Sequence, residues 1–109
     1  MKKILLLTVA LSATAMLSAA AADAKANYDK GCAKCHGKDG KGNTKMGQKA
    51  GVKDYTDPKV QAEMTDAAAI KAIKEGLKDK DGKVQMKPAE DLSDADIKAL
   101  VDYMRTFKK

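Results

Sequence analysis

The sequence predicts an all-α fold of about four short helices, on three observations. No alternating run of β-branched residues extends beyond a few positions anywhere in the chain. Apolar residues recur instead at three and four, as Ile70, Ile73 and Leu77, and again as Ile97, Leu100, Val101 and Met104. Residues that cap helix starts, Asp57, Thr65 and Ser93, stand just ahead of the helical stretches.

The first element is not part of that fold. "MKKILLLTVALSATAMLSAAAADA" has two lysines, a long apolar and small-residue run, and alanines at the alternate spacing that signal peptidase accepts. This predicts an export signal over residues 1–24, cut after Ala22 or after Ala24, and a single domain over 25–109. The alternative is an uncleaved anchor, since Ile4 to Ala22 is 19 residues and just long enough to span. Thr8, Ser12, Thr14 and Ser18 interrupt that run, which favours cleavage and a periplasmic protein. No cysteine precedes Cys32, so nothing points to a lipid anchor at the cut.

The first helix of the domain is expected from about Ala24 to Lys34, with Tyr28 facing inward and the cysteines at its end. "GKDGKGNTKMGQKAG" has five glycines in fifteen residues and reads as a loop. Asp57 as N-cap and Pro58 at the first helical position open a short helix with Val60 and Met64 on one face. Thr65 caps a third helix that ends near Gly76. "KDKDGKVQMKPAED" is a polar loop, and Ser93 with Asp96 resembles a capping box opening the last helix.

Residues 25–109 hold only 18 large apolar side chains and no tryptophan. A domain this small usually depends on disulfides, a metal, a partner or an efficient core. Charge is uneven as well. Lys25 to Lys53 carries eight lysines against Asp29 and Asp39, a net +6, while the rest of the domain sums to −1. A positive field therefore surrounds the only two cysteines.

Those cysteines lie in "CAKCHG", Cys32 and Cys35 with His36, the chain's only histidine, directly behind. A redox dithiol or disulfide is one reading, but that chemistry usually sits at a helix start within a strand-helix-strand unit, which is not predicted here. Structural zinc needs four ligands, and Cys and His together supply three. Covalent haem attachment remains, for which Cys-x-x-Cys-His is the signature. Two thiols three residues apart can each add to a vinyl group on neighbouring pyrroles while the next imidazole points at the iron. A porphyrin would also supply the apolar bulk that the polypeptide lacks.

At these residues the sequence resembles the class I c-type cytochromes. The resemblance covers the whole domain: Tyr28 four residues before the first cysteine, "CAKCHG", a lysine and glycine loop, a middle helix, a methionine loop and the closing "IKALVDYMRTF". It implies the cytochrome c fold wrapped around one haem c. It also implies a crossing of the first and last helices, with Tyr103 as the aromatic partner and Ala24 near the usual glycine. Soft thioether suits haem iron and raises its potential. By resemblance the axial pair is His36 and Met86, which stands fifty residues on in "VQMKPAEDL"; Met46 in the glycine-rich loop is the runner-up. Met64 and Met104 fall on helix faces and read as packing. No proline lies between His36 and Pro58 to accept from the second imidazole nitrogen, so a carbonyl within Gly40 to Thr44 is expected in that role. Tyr55 is a candidate donor to a haem propionate.

With both axial positions filled, nothing but an electron has to reach the iron. The expected function is a soluble, monomeric electron carrier and not an enzyme, with no small-molecule substrate. The alternative is a haem ligand sensor or peroxidase-like enzyme with a labile sixth ligand. The lysines at 30, 34, 38, 41, 45, 49 and 53 are either a solvated face or a docking surface for acidic redox proteins. Membrane contact is expected only through membrane-bound redox complexes. Nucleic acid is excluded as a target by the scarcity of stacking aromatics and by export.

Overall fold

A computed structural model describes residues 23–109. The expected export signal therefore lies, apart from Asp23 and Ala24, outside the described residues. Helix α1 (23–31) leads through a turn at Cys32 into the single turn α2 (Ala33–His36). Then follow α3 (Lys45–Ala50), α4 (Pro58–Glu63), α5 (Asp66–Glu75), the strands β1 (Leu77–Lys78) and β2 (Val84–Met86), and α6 (Asp94–Arg105). Among the described residues no helix is long and apolar enough to cross a membrane.

The core forms where α1 and α6 meet. Tyr28 is fully buried, and its ring centroid lies 5.3 Å from Tyr103 and 5.2 Å from Phe107. Tyr103 and Phe107 close the triangle edge-on at 5.2 Å, an arrangement that the aromatic quadrupole favours. The family's expected contact between first helix and Tyr103 is thus present, and Ala24, one turn before Tyr28, is only 2% exposed. Ile97, Leu100, Val101 and Met104 are all buried along α6, as their spacing requires. Ser93 and Asp96 make the reciprocal capping box that starts this helix. From α5, Ala69 and Ile73 complete the core.

Four expectations need correction. The glycine-rich stretch contains α3, capped by Thr44 at its start and closed by Gly51 in the left-handed region at φ 70°. Glycine density argued for a loop, yet Gly47 inside this helix is demanded by a close approach described below. In α4 the buried residue is Gln61, while Val60 and Met64 are half-buried. Finally, the polar loop holds a short antiparallel pair in which Leu77 faces Met86 and Lys78 faces Val84. Two and three residues are too few to show period-two alternation. Its turn is organised by Asp79, whose Oδ1 accepts from the Asp81 and Lys83 amides. Leu77, expected on the α5 stripe, is instead on β1 and 51% exposed.

Candidate functional site

The Cys32–His36 segment follows from how α1 ends. The Cys32 amide still donates to Tyr28, and Cys35 and His36 both donate to the Cys32 carbonyl, winding the chain into one more turn. Both thiols are free and half-buried. Burial pushes the Cys32 thiol up, and the neighbouring Cys35 adds to the effect. Burial also pushes the His36 imidazole below its ordinary value, so the ring is neutral at neutral pH. A neutral imidazole is the form that offers a lone pair to a metal.

The chain after the turn folds back over it. Gly37 donates to Ala33 at 2.8 Å, Gly42 donates to the His36 carbonyl at 2.8 Å, and the Thr44 hydroxyl donates to the Cys35 carbonyl at 2.7 Å. The Tyr28 hydroxyl, from inside the core, donates to the Gly37 carbonyl at 2.6 Å. These bonds satisfy carbonyls that a short helix leaves open at its end. Helix α3 then packs on α2 so closely that a Cβ built on Gly47 would stand 2.1 Å from the Cys35 carbonyl oxygen.

The expected acceptor for the second imidazole nitrogen is not found. Nδ1 of His36 is shut off from solvent and has no hydrogen-bond partner. Within the expected stretch, Gly40 accepts from the Tyr55 amide at 2.8 Å and Thr44 from the Gln48 amide at 2.9 Å, and no carbonyl there accepts from the imidazole. What lies against the imidazole is Tyr55, its ring centroid 5.4 Å away and tilted by 39°. Burial pushes the Tyr55 phenol up, with Cys32 contributing.

Met86 ends β2, half-buried and packed against the core together with Cys32, Tyr55, Met64, Ala89 and Leu92. Met46 is on α3 and 46% exposed. Cys32, Tyr55 and Met86 thus border one apolar cluster. A half-buried neutral imidazole with an orphaned nitrogen, two free thiols on the same turn and an apolar surround fit a haem joined through both sulfurs.

Sequence reasoning missed two contributors. Thr44 lies in the stretch whose glycines predict a loop, yet it caps α3 and bonds the attachment turn. Gln61 is 5% exposed and donates through Nε2 to the carbonyls of Tyr55 at 2.7 Å and Met104 at 2.9 Å. Its Oε1 accepts from Arg105, whose guanidinium also donates to the Gln61 and Met64 carbonyls and to Asp66. The signal was a glutamine within the apolar face of a capped helix, but only burial shows that its polar atoms are all used.

Comparison with known proteins gives concordant findings. The family described as Cytochrome c matches residues 21–108. Among solved structures, the KustC0563 c-type cytochrome is 34% identical with a TM-score of 0.69, the alignment covering 80% of this chain and 99% of that one. A point mutant of Kustc0563 aligns at 32% identity with a TM-score of 0.66, over 79% and 99% of the two chains. None of the curated proteins searched matches the chain.

Proposed function

The chain belongs to the cytochrome c family, with its fold and its covalently bound haem c, and from that premise we propose that it is a periplasmic carrier shuttling single electrons between redox partners. When bound, the haem supplies the one-electron couple. Cys32 and Cys35 hold it by thioethers, His36 is the nitrogen ligand and Met86 the sulfur ligand. Tyr55 is the candidate propionate donor. The observation that carries this reading is the turn itself, with both thiols and a neutral imidazole presented by one segment whose backbone groups are paired.

Support for Met86 over Met46 comes from burial. Met86, on β2, packs against the core as Tyr55 and Cys32 do, whereas Met46, on α3, is nearly half exposed. Two protein ligands shut the iron to substrates, and a site that keeps its ligands in both oxidation states needs little rearrangement. Lys30, Lys34, Lys38, Lys41, Lys45, Lys49 and Lys53 surround the attachment turn in sequence and make acidic redox proteins the proposed partners. Export is proposed from the residues 1–24 pattern. Of the two cuts, the one after Ala22 leaves the buried Ala24 within the folded domain.

The test is optical. The reduced protein, matured in a haem-attaching host, is mixed with carbon monoxide. The spectrum stays unchanged with Met86 in place, and Met86→Ala binds the gas promptly. Prompt binding by the unmodified protein refutes the sulfur ligand.

A further inference from the structure

We infer that Thr44 is a positioning residue for the axial imidazole, acting through the backbone of the Cys35–His36 peptide, with Gly47 as the contact that lets it do so. The inference rests on the proposed ligation by His36. An axial histidine is ordinarily oriented by a hydrogen bond from its second nitrogen. Here Nδ1 is buried without a partner, so the ring direction is set by the backbone that carries it and by the Tyr55 ring alongside.

That backbone is held on both sides of His36. In the peptide before it, the amide donates to the Cys32 carbonyl at 3.0 Å and the Cys35 carbonyl accepts from the Thr44 hydroxyl at 2.7 Å. In the peptide after it, the His36 carbonyl accepts from Gly42 at 2.8 Å and the Gly37 amide donates to Ala33 at 2.8 Å. Three of these four partners are main chain. Thr44 is the one side chain in the set, and so the one place where a substitution can release the plane without moving the chain path.

Thr44 is itself fixed. Its oxygen accepts from the Gly47 amide at 2.8 Å while donating to Cys35, so one hydroxyl both starts α3 and closes the attachment turn. A side chain at position 47 would occupy the space between the two, since an added Cβ would meet the Cys35 carbonyl at 2.1 Å and the Thr44 hydroxyl at 2.8 Å. Helix α3 therefore serves as a brace that carries its cap residue onto the ligand-bearing peptide.

The experiment compares Thr44→Val, which keeps the shape and removes both bonds, with Thr44→Ser, which keeps both, in the haem-loaded ferric protein. Thr65→Val is the control, because Thr65 caps α5 through the Ala68 amide and is bonded to no part of the attachment turn. The readouts are the order of the hyperfine-shifted haem-methyl proton resonances, which follows the direction of the axial imidazole plane, and the thermal midpoint. Thr44→Val rearranges the methyl resonances and Thr44→Ser restores the original order. Thr65→Val lowers the midpoint and leaves the order alone. An unchanged methyl order in Thr44→Val, or a Thr44→Ser protein as altered as Thr44→Val, overturns the inference. Should Thr44→Val fail to acquire haem, Thr44→Ala carries the same expectation. Loss of attachment in both, with Thr65→Val attached normally, is the displaced turn in its extreme form and supports it. An unmodified protein lacking the signature of histidine ligation would instead end the ligand assignment itself.

Discussion

Two glycines in helices make opposite forecasts, and the pair tests the contact on which the attachment turn depends. In Gly47→Ala the new methyl would meet the Cys35 carbonyl oxygen at 2.1 Å, the Gly42 carbonyl at 2.7 Å and the Thr44 hydroxyl at 2.8 Å. Two of these are backbone atoms and cannot swing aside, so α3 must separate from α2. Overpacking of this kind costs about 1–3 kcal/mol. Loss of the Thr44 bond leaves the Cys35 carbonyl short of a partner, for about 1–3 kcal/mol more. The intrinsic gain of alanine over glycine in a helix offsets about 1 kcal/mol. A net loss of about 1–5 kcal/mol follows, and at roughly 4–8 °C per kcal/mol for a domain of this size the thermal midpoint falls by at least several degrees. Gly31 is also helical, yet nothing lies within 4 Å of its Cβ position. Gly31→Ala therefore leaves stability unchanged or raises it by about 0.5–1 kcal/mol. Circular dichroism melts of the two holoproteins decide: if Gly47→Ala melts at or above Gly31→Ala, the backbone-on-backbone contact is wrong.

Tyr28 links stability to alkaline pH. Its phenol is pushed well above the ordinary value, chiefly by burial, and Tyr55 shifts the same way for the same reason. A folded-state value above the unfolded one means that the native chain keeps protons which the unfolded chain releases. Stability is then fully present below about pH 10 and declines as pH rises past it. Tyr28→Phe loses the bond to the Gly37 carbonyl, at a cost of about 1–2 kcal/mol near neutrality. The same variant shows a shallower decline in urea midpoint between pH 9 and 11; an unaltered slope refutes the assignment. Arg105→Lys breaks a guanidinium fork that holds Gln61, Met64 and Asp66, and a point charge cannot replace it. It costs about 1.5–3 kcal/mol by chemical denaturation, whereas Asp66→Asn, at a carboxylate two-thirds exposed, costs no more than about 1 kcal/mol. Ser93→Ala removes half of the α6 capping box and lowers stability by about 1 kcal/mol, read from the same denaturation curves.

The sequence made the helices with long apolar stripes legible, and those without stripes obscure. Helix α6 was readable from Ser93 to Met104 because its caps and its buried face are both local patterns. Helix α3 was not, because its six residues bury only Gly47, and a glycine carries no hydropathy signal. The β1–β2 pair escaped for a related reason. Leu77 and Val84 stay about half exposed, so no buried face disciplines the sequence there.

For the site, the division runs between chemistry and geometry. Cys32, Cys35 and His36 announce themselves because haem attachment requires fixed residue types at fixed spacing within five positions. What orients them is spread from Tyr28 to Gly47, through hydrogen bonds whose acceptors are main-chain carbonyls. A carbonyl belongs to every residue, so no residue type marks which one is being held. The expectation of an acceptor for Nδ1 failed on this point: every residue from Gly40 to Thr44 has a carbonyl, and none of the five accepts from the imidazole. The imidazole is left with neighbours and no tether on its second nitrogen. On the proposed ligation by His36, its direction then depends on the peptides at either end, and the Thr44 hydroxyl, eight residues downstream, is bonded to one of them.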